Sequence, residues 1–154
     1  LEQEVPLMES KIWSYLRDYY KRNNAVFNAN PETPTFISNS SYIADSYANV
    51  ILKFLSDWYR NPAADKSEPV YILEVGAGQG RLAYLILKKL TKMQKFYPEG
   101  VKLPFVYVIS DYTTESILKM KQHPWYAEYI AQGVVDFAVV DCESSDVVLP
   151  FRFL

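Results

Sequence analysis

The chain of 154 residues has the length of one compact domain, and with 49% apolar and 22% charged residues it is too apolar for a disordered protein. Its 16 basic and 18 acidic residues disfavour nucleic-acid binding, and no apolar run approaches the roughly 20 residues that cross a bilayer. A single cysteine, Cys142, excludes an intramolecular disulfide and favours a reducing, cytoplasmic location.

Residues 1–65 are predicted to form an N-terminal helical cap of two helices. Apolar residues recur at helical spacing between residues 8 and 20. Ser38–Ser41 offers N-cap candidates for a second helix, which ends at Asn61. The apolar stripe of this second helix consists of Ile43, Tyr47, Val50, Ile51, Phe54, Leu55 and Trp58. Because both helices are amphipathic, we interpret them as packing elements.

A strand, a glycine-rich loop and a helix are predicted next. Val70–Leu73 is a short apolar run, which is typical of a buried parallel strand. The glycine-rich segment Glu74–Gly80 follows it directly, and apolar residues then recur at helical spacing from Leu82 to Met93. This order places the loop at the carboxyl end of the first strand.

Two more strands alternate with helical residues in the last part of the chain. Phe105–Ile109 is a β-rich run that ends at Asp111, and residues 113–131 have a helical pattern interrupted by a proline. Val134–Val140 forms the third run and ends at Asp141. Alternation of strands and helices predicts an α/β fold with a parallel sheet.

Three acidic residues, Glu74, Asp111 and Asp141, stand where the three predicted strands end. In an open parallel sheet the ligand crevice lies outside the carboxyl ends of the strands. Three carboxylates in that position favour a ligand that presents cations or hydrogen-bond donors.

The glycine loop distinguishes between classes of cofactor. Gly76, Gly78 and Gly80 have the spacing G-x-G-x-G, whereas the dinucleotide fingerprint needs a small residue where Arg81 stands. No Gly-Lys-Ser/Thr follows, so the segment is not a phosphate-binding P-loop. The Glu74 carboxylate would repel a pyrophosphate and attract an ammonium or sulfonium group.

The segment Glu74–Gly80 resembles the E/D-x-G-x-G-x-G first motif of the class I S-adenosylmethionine-dependent methyltransferases. Asp111 and Asp141 resemble the acids that end the second and third strands of this family, so the resemblance covers residues 70–143. It implies a Rossmann-like parallel sheet of the methyltransferase type, whose first three strands lie in residues 66–154. It also implies methyl transfer from S-adenosylmethionine to an acceptor, for example a protein side chain, that these residues do not identify.

The resemblance implies cofactor-binding roles for nine residues but names no catalytic residue. The nine are Glu74, Gly76, Ala77, Gly78, Gly80, Asp111, Tyr112, Asp141 and Cys142. Glu74 would lie near the methionine ammonium, with the first two glycines of the loop against the methionine and ribose portion. Asp111 would accept hydrogen bonds from the ribose hydroxyls. Asp141 and the backbone N–H of Cys142 would bind adenine, with Tyr112 against its face.

Two further features bear on the same resemblance. The aromatic-rich helices before the motif, with Phe36–Asn39 leading into the second, are similar to those of the protein-arginine methyltransferases that assist respiratory complex I assembly. Family members have strands beyond the third, whereas this sequence ends soon after it. We therefore expect the edge of the first strand to be covered by a missing C-terminal half, a second copy of the chain, or the tail Val147–Leu154.

Two other functions stay open at this point. The chain could be a non-catalytic cofactor-binding or partner-docking module, or a dinucleotide-dependent oxidoreductase, although Glu74 and Arg81 disfavour the latter.

His123, the single histidine, is interpreted as a surface residue at a helix end, because no partner stands at a fixed spacing from it. No cluster of metal-ligand residues is visible.

Overall fold

A computed structural model describes residues 2–23, 37–96 and 104–141. Backbone proximity divides the chain into two compact units, residues 1–34 and residues 35–154. The second predicted helix therefore belongs to the unit that contains the strands, while a cap made of the residues before position 66 stays a prediction. Within the described ranges, no helix is both long enough and apolar enough to cross a membrane.

The first unit contains the first predicted helix. A short 3₁₀ turn, Leu7–Glu9, precedes helix α1, Ile12–Asn23. The indole N–H of Trp13 donates a hydrogen bond to the carbonyl of Leu7 at 2.6 Å, which ties the turn to the start of the helix. The predicted helical spacing in this part of the chain is thereby confirmed.

The second unit begins with helix α2, Ser41–Arg60. Its N-cap is Ser40, whose hydroxyl accepts a hydrogen bond from the backbone N–H of Ile43 at 3.3 Å. Asn61 ends the helix in an extended conformation. Both predicted ends of this helix are confirmed, and each has the expected chemical cause: a hydroxyl that satisfies a free N–H, and an Asn-Pro step that helices do not continue through.

Strands and helices alternate after α2, as the sequence pattern predicts. The Thr113 hydroxyl caps one helix by accepting from the N–H of Ser116, and the step from His123 to Pro124 interrupts the helical residues that follow. The elements, in order, are β1 Val70–Glu74, α3 Arg81–Leu90, a 3₁₀ turn Thr91–Phe96, β2 Phe105–Asp111, α4 Thr114–Gln122, a 3₁₀ turn Pro124–Tyr126, α5 Ala127–Ala131 and β3 Val135–Val139.

The three strands form one parallel sheet in the order β1-β2-β3. Glu74 lies opposite Ile109, and Asp111 lies opposite Val139. The carboxyl ends of all three strands therefore lie at the same end of the sheet, where the glycine loop begins. The prediction of an α/β fold with a parallel sheet is confirmed.

One face of this sheet carries the core. Phe105, Tyr107, Ile109 and Phe137 are buried there, because alternate residues of a strand point to the same face. Helices α3 and α4 pack against the strands, and α2 packs against α3.

Helix α2 buries a different face from the one that the sequence predicts. Its buried residues are Ala44, Ala48 and Leu55, whereas Tyr47, Val50 and Phe54 of the predicted stripe are exposed. The small alanine side chains let the two helix backbones approach closely. A salt bridge of 3.0 Å between Asp45 and Lys89 of α3 flanks this contact.

Candidate functional site

The loop after β1 adopts a backbone conformation that only glycine takes readily. Gly76, Gly78 and Gly80 have φ values of +67°, +57° and +70°. Other residues pay a steric penalty in this left-handed region because the β-carbon approaches the following carbonyl oxygen. The G-x-G-x-G spacing therefore sets the course of the chain between β1 and α3.

The three glycines differ in what surrounds them. A β-carbon on Gly80 would lie 2.5 Å from the hydroxyl of Tyr126 and 3.0 Å from the sulfur of Met120, whereas at Gly76 and Gly78 it would meet no atom within 4 Å. The Tyr126 hydroxyl donates a hydrogen bond to the Gly80 carbonyl. Gly80 thus serves the packing of the loop on the core, while the first two glycines border open space.

Asp111 anchors the loop to the end of β2. The residue is 5% exposed. One carboxylate oxygen, Oδ2, accepts a hydrogen bond from the backbone N–H of Gly78 at 3.1 Å, and Oδ1 accepts one from the N–H of Tyr112 at 2.8 Å. The carboxylate that ends the second strand therefore fixes the glycine loop over the carboxyl ends of the strands.

Glu74 lies at the end of β1 and is half-buried. The Tyr107 hydroxyl donates a hydrogen bond to Glu74 Oε2 at 2.8 Å. The Ser110 hydroxyl donates to the main-chain carbonyl of Glu74 at 2.7 Å, and the N–H of Ala77 donates to the carbonyl of Ser110 at 2.9 Å. Burial raises the pKa of Glu74 to about 7, although the hydrogen bond from Tyr107 acts in the opposite direction.

A cavity of about 570 Å³ opens between this loop, α2 and the start of α3. Among the residues that line it, Glu74 is the only one that carries a formal charge when ionised near neutral pH. The lining residues are Ser38, Asn39, Tyr47, Ile51, Ile72, Leu73, Glu74, Val75, Gly76, Ala77, Gly78, Gln79, Leu82, Ile86 and Tyr107. An apolar cavity with one carboxylate at its wall favours a ligand with an apolar body and a cationic group.

The predicted site residues fall into three groups. Those that line the cavity are Glu74, Gly76, Ala77 and Gly78. Those at the loop and strand ends, outside the cavity lining, are Gly80, Asp111, Tyr112 and Asp141. Cys142 lies outside the described residues.

Several polar residues of the cavity were not predicted. Ser38, Asn39 and Gln79 line it, and Tyr107 contacts Glu74 directly. A signal for Tyr107 exists in the sequence, since alternation along β2 puts it on the same face as Asp111. The residues before α2 have no such signal, because their position depends on how α2 packs.

A second cavity of about 510 Å³ lies at the opposite end of the strands, near Pro69 and Pro104. It is the less suitable site, because ligands of parallel sheets bind at the carboxyl ends of the strands. Within residues 2–23, 37–96 and 104–141, no group of three or more His, Cys, Asp or Glu side chains is placed to hold a metal ion.

Comparison with known proteins gives no family for this chain. No protein-family model matches it, and no curated protein matches its sequence.

Proposed function

We propose that the chain is the cofactor-binding part of an S-adenosylmethionine-dependent methyltransferase with a Rossmann-like sheet. One observation carries the proposal: the glycine loop and Glu74 form the wall of a cavity whose lining contains a carboxylate and no basic side chain. Such a wall attracts the ammonium and sulfonium groups of S-adenosylmethionine and repels the pyrophosphate of a dinucleotide.

The residues present fit this cofactor. At Gly76 and Gly78 the space that a β-carbon would occupy is open, so that the loop backbone can contact a ligand closely. Asn39 and Gln79 add hydrogen-bonding groups to an otherwise largely apolar wall. When bound, the cofactor supplies a methyl group activated by its sulfonium centre.

The proposed roles follow the loop and the strand ends. Glu74 binds the ammonium group of the methionine portion, and Asp111 binds the ribose hydroxyls. Each oxygen of Asp111 accepts one backbone N–H and keeps a lone pair that can accept another hydrogen bond. Asp141, Tyr112 and Cys142 bind adenine. The acceptor is a small molecule or a protein side chain. The chain contributes to the rate of methyl transfer mainly by positioning the methyl donor. The proposed location of this reaction is the cytoplasm.

A second candidate is a partner-docking module without catalysis. The specific observation in its favour is that Tyr71 and Leu73, on the face of β1 opposite the core, are 43% and 54% exposed. Exposed apolar side chains on a sheet are a common feature of interaction surfaces.

Isothermal titration calorimetry separates these functions. We expect S-adenosylmethionine and S-adenosylhomocysteine to bind, since both carry the ammonium group, and NAD to bind far more weakly. Glu74→Gln should reduce the affinity for both ligands by about tenfold or more, as expected for loss of a charge-assisted contact. The control Glu68→Gln removes the same charge from an exposed position and should leave the affinity unchanged.

Other outcomes of this titration contradict the proposal. Tight binding of NAD without binding of S-adenosylmethionine would identify a dinucleotide-dependent oxidoreductase. Absence of binding for all three ligands, with a cooperative unfolding transition, would favour the partner-docking module.

A further inference from the structure

The hydrogen bond from Tyr107 to Glu74 joins two neighbouring strands beneath the cavity. Tyr107 is 3% exposed, and its hydroxyl lies 2.8 Å from Glu74 Oε2. Burial, together with the nearby carboxylate, raises the pKa of Tyr107 above its ordinary value. The hydroxyl therefore stays protonated near neutral pH and donates to the ionised Glu74 carboxylate.

The second oxygen of the carboxylate faces a different environment. Glu74 Oε1 accepts no hydrogen bond from the described residues, and no side-chain polar atom that is fully buried lacks a partner within them. Oε1 is therefore not fully buried, and Glu74 lines the cavity. A carboxylate with one oxygen fixed by the protein and the other open is suited to receive a cationic group.

The groups that face Glu74 offer no competing positive charge. From β2 it is faced by Tyr107, from α2 the cavity is lined by Tyr47, and from the turn before α5 Tyr126 is close enough for Glu74 to affect its titration. The loop side contributes only uncharged residues. Tyr107 is thus the one side chain of the described residues that donates a hydrogen bond to this carboxylate.

We propose that Tyr107 is a positioning residue whose hydroxyl, by donating to Oε2, orients Oε1 of Glu74 towards the cationic group of a ligand. The identity of that ligand rests on the proposed function, whereas the action of Tyr107 on Glu74 does not. Tyr107 belongs to the second strand and lies outside the glycine motif.

The contact between Tyr107 and Glu74 predicts how the affinity for a cationic ligand depends on pH. Burial raises the pKa of Glu74 to about 7, and the hydrogen bond from Tyr107 lowers it. Replacement of Tyr107 by Phe removes only the lowering influence, so the carboxyl should titrate at a higher pH. Because the protonated carboxyl is neutral, affinity for a cationic ligand falls as the pH decreases through this midpoint.

The test is a carbon-13 NMR titration of the Glu74 carboxyl in the ligand-free protein, with its signal assigned from its absence in Glu74→Gln. We expect a midpoint near 7 in the wild type and a midpoint about one pH unit higher in Tyr107→Phe. The control Tyr47→Phe, at the same cavity, should leave the midpoint unchanged. Equal midpoints in the wild type and Tyr107→Phe would overturn the proposal.

Two further measurements separate this inference from the proposed function. In the wild type, the Tyr107 ring carbon that bears the hydroxyl should shift with the same midpoint as Glu74, which tests the contact even if Tyr107→Phe fails to fold. Calorimetry with S-adenosylmethionine against pH should show affinity decreasing below the Glu74 midpoint. Shifted NMR midpoints without any binding would leave the role of Tyr107 intact and overturn the choice of ligand.

Discussion

Gly76 and Gly80 both have a left-handed backbone conformation but differ in their neighbours. This difference assigns Gly80 to the packing of the loop and leaves Gly76 available for contact with a ligand. The β-carbon position of Gly80 is blocked by Tyr126 and Met120, while that of Gly76 is open. A side chain would therefore strain the backbone at both positions, but only at Gly80 would its β-carbon also overlap with neighbouring atoms.

We predict that Gly80→Ala lowers the free energy of unfolding by about 2–4 kcal/mol, and Gly76→Ala by about 1–2 kcal/mol. Urea denaturation of the two variants and the wild type measures both values. Equal losses would mean that Tyr126 moves aside without cost. Gly76→Ala should in addition weaken S-adenosylmethionine binding more than its effect on folding explains, because its methyl group would occupy the cavity wall.

A second prediction at this scale concerns how Glu74 links stability to pH. The folded-state pKa, about 7, lies above the ordinary value of 4.5, so the folded protein favours the protonated carboxyl. The stabilisation from Glu74 is complete below about pH 4.5 and is lost as the pH rises through 7. The difference across this window is on the order of 3 kcal/mol.

Glu74→Gln removes this titration, because an amide stays neutral and its oxygen can still accept the hydrogen bond from Tyr107. We expect the variant to exceed the wild type in unfolding free energy at pH 8, with the gap closing towards pH 5. Urea denaturation at several pH values measures it. Glu68→Gln, which changes an exposed acid, should follow the wild-type curve, and a parallel curve for Glu74→Gln would contradict the shifted pKa.

At the scale of elements, helix α2 shows which part of the fold the sequence pattern could predict. Its ends were predicted because caps are local: Ser40 needs only the N–H of Ile43. Its buried face was predicted less well because large apolar residues occur on two sides of the helix. The buried residues are Ala44, Ala48 and Leu55, and α2 packs against α3.

The strands and the loop were predicted for the same local reason. β-rich runs bounded by turn residues identify β1 and β2, and the G-x-G-x-G spacing identifies the loop between β1 and α3, whose positive φ values the structure shows. The contact between Tyr107 and Glu74 could not be predicted, because it depends on the register between two strands. The cavity likewise depends on where α2 packs, which hydrophobic periodicity does not determine.

Substitutions on opposite sides of α2 test the observed packing. Ala48 is fully buried in the core that includes Ala83 of α3, whereas Val50 is 69% exposed. We predict that Ala48→Leu lowers the free energy of unfolding by about 1–3 kcal/mol through overpacking, while the matched Val50→Leu changes it by less than about 0.5 kcal/mol. Thermal or urea denaturation measures both. A larger effect at Val50 would show that the stripe predicted from sequence is the buried one.

At the scale of the whole molecule, β1 is the strand beside which a further strand is predicted to pair. Within the described residues β1 pairs only with β2, and the tail Val147–Leu154, one of the predicted covers of β1, lies outside those residues. Leu73 and Val75, in and just after β1, are 54% and 51% exposed. A strand edge next to apolar side chains is a template for another strand, and a second copy of the chain can supply one.

We therefore predict concentration-dependent self-association that a charge at the edge suppresses. Leu73→Lys places an ammonium group beside β1, where a pairing strand would have to desolvate it, and should shift the sedimentation profile towards the monomer. The control Leu118→Lys adds the same charge on α4, where Leu118 is 39% exposed, and should leave association unchanged. If the wild type sediments as a monomer at every concentration, pairing between copies is contradicted. If both variants dissociate it equally, the contact depends on net charge rather than on the β1 edge.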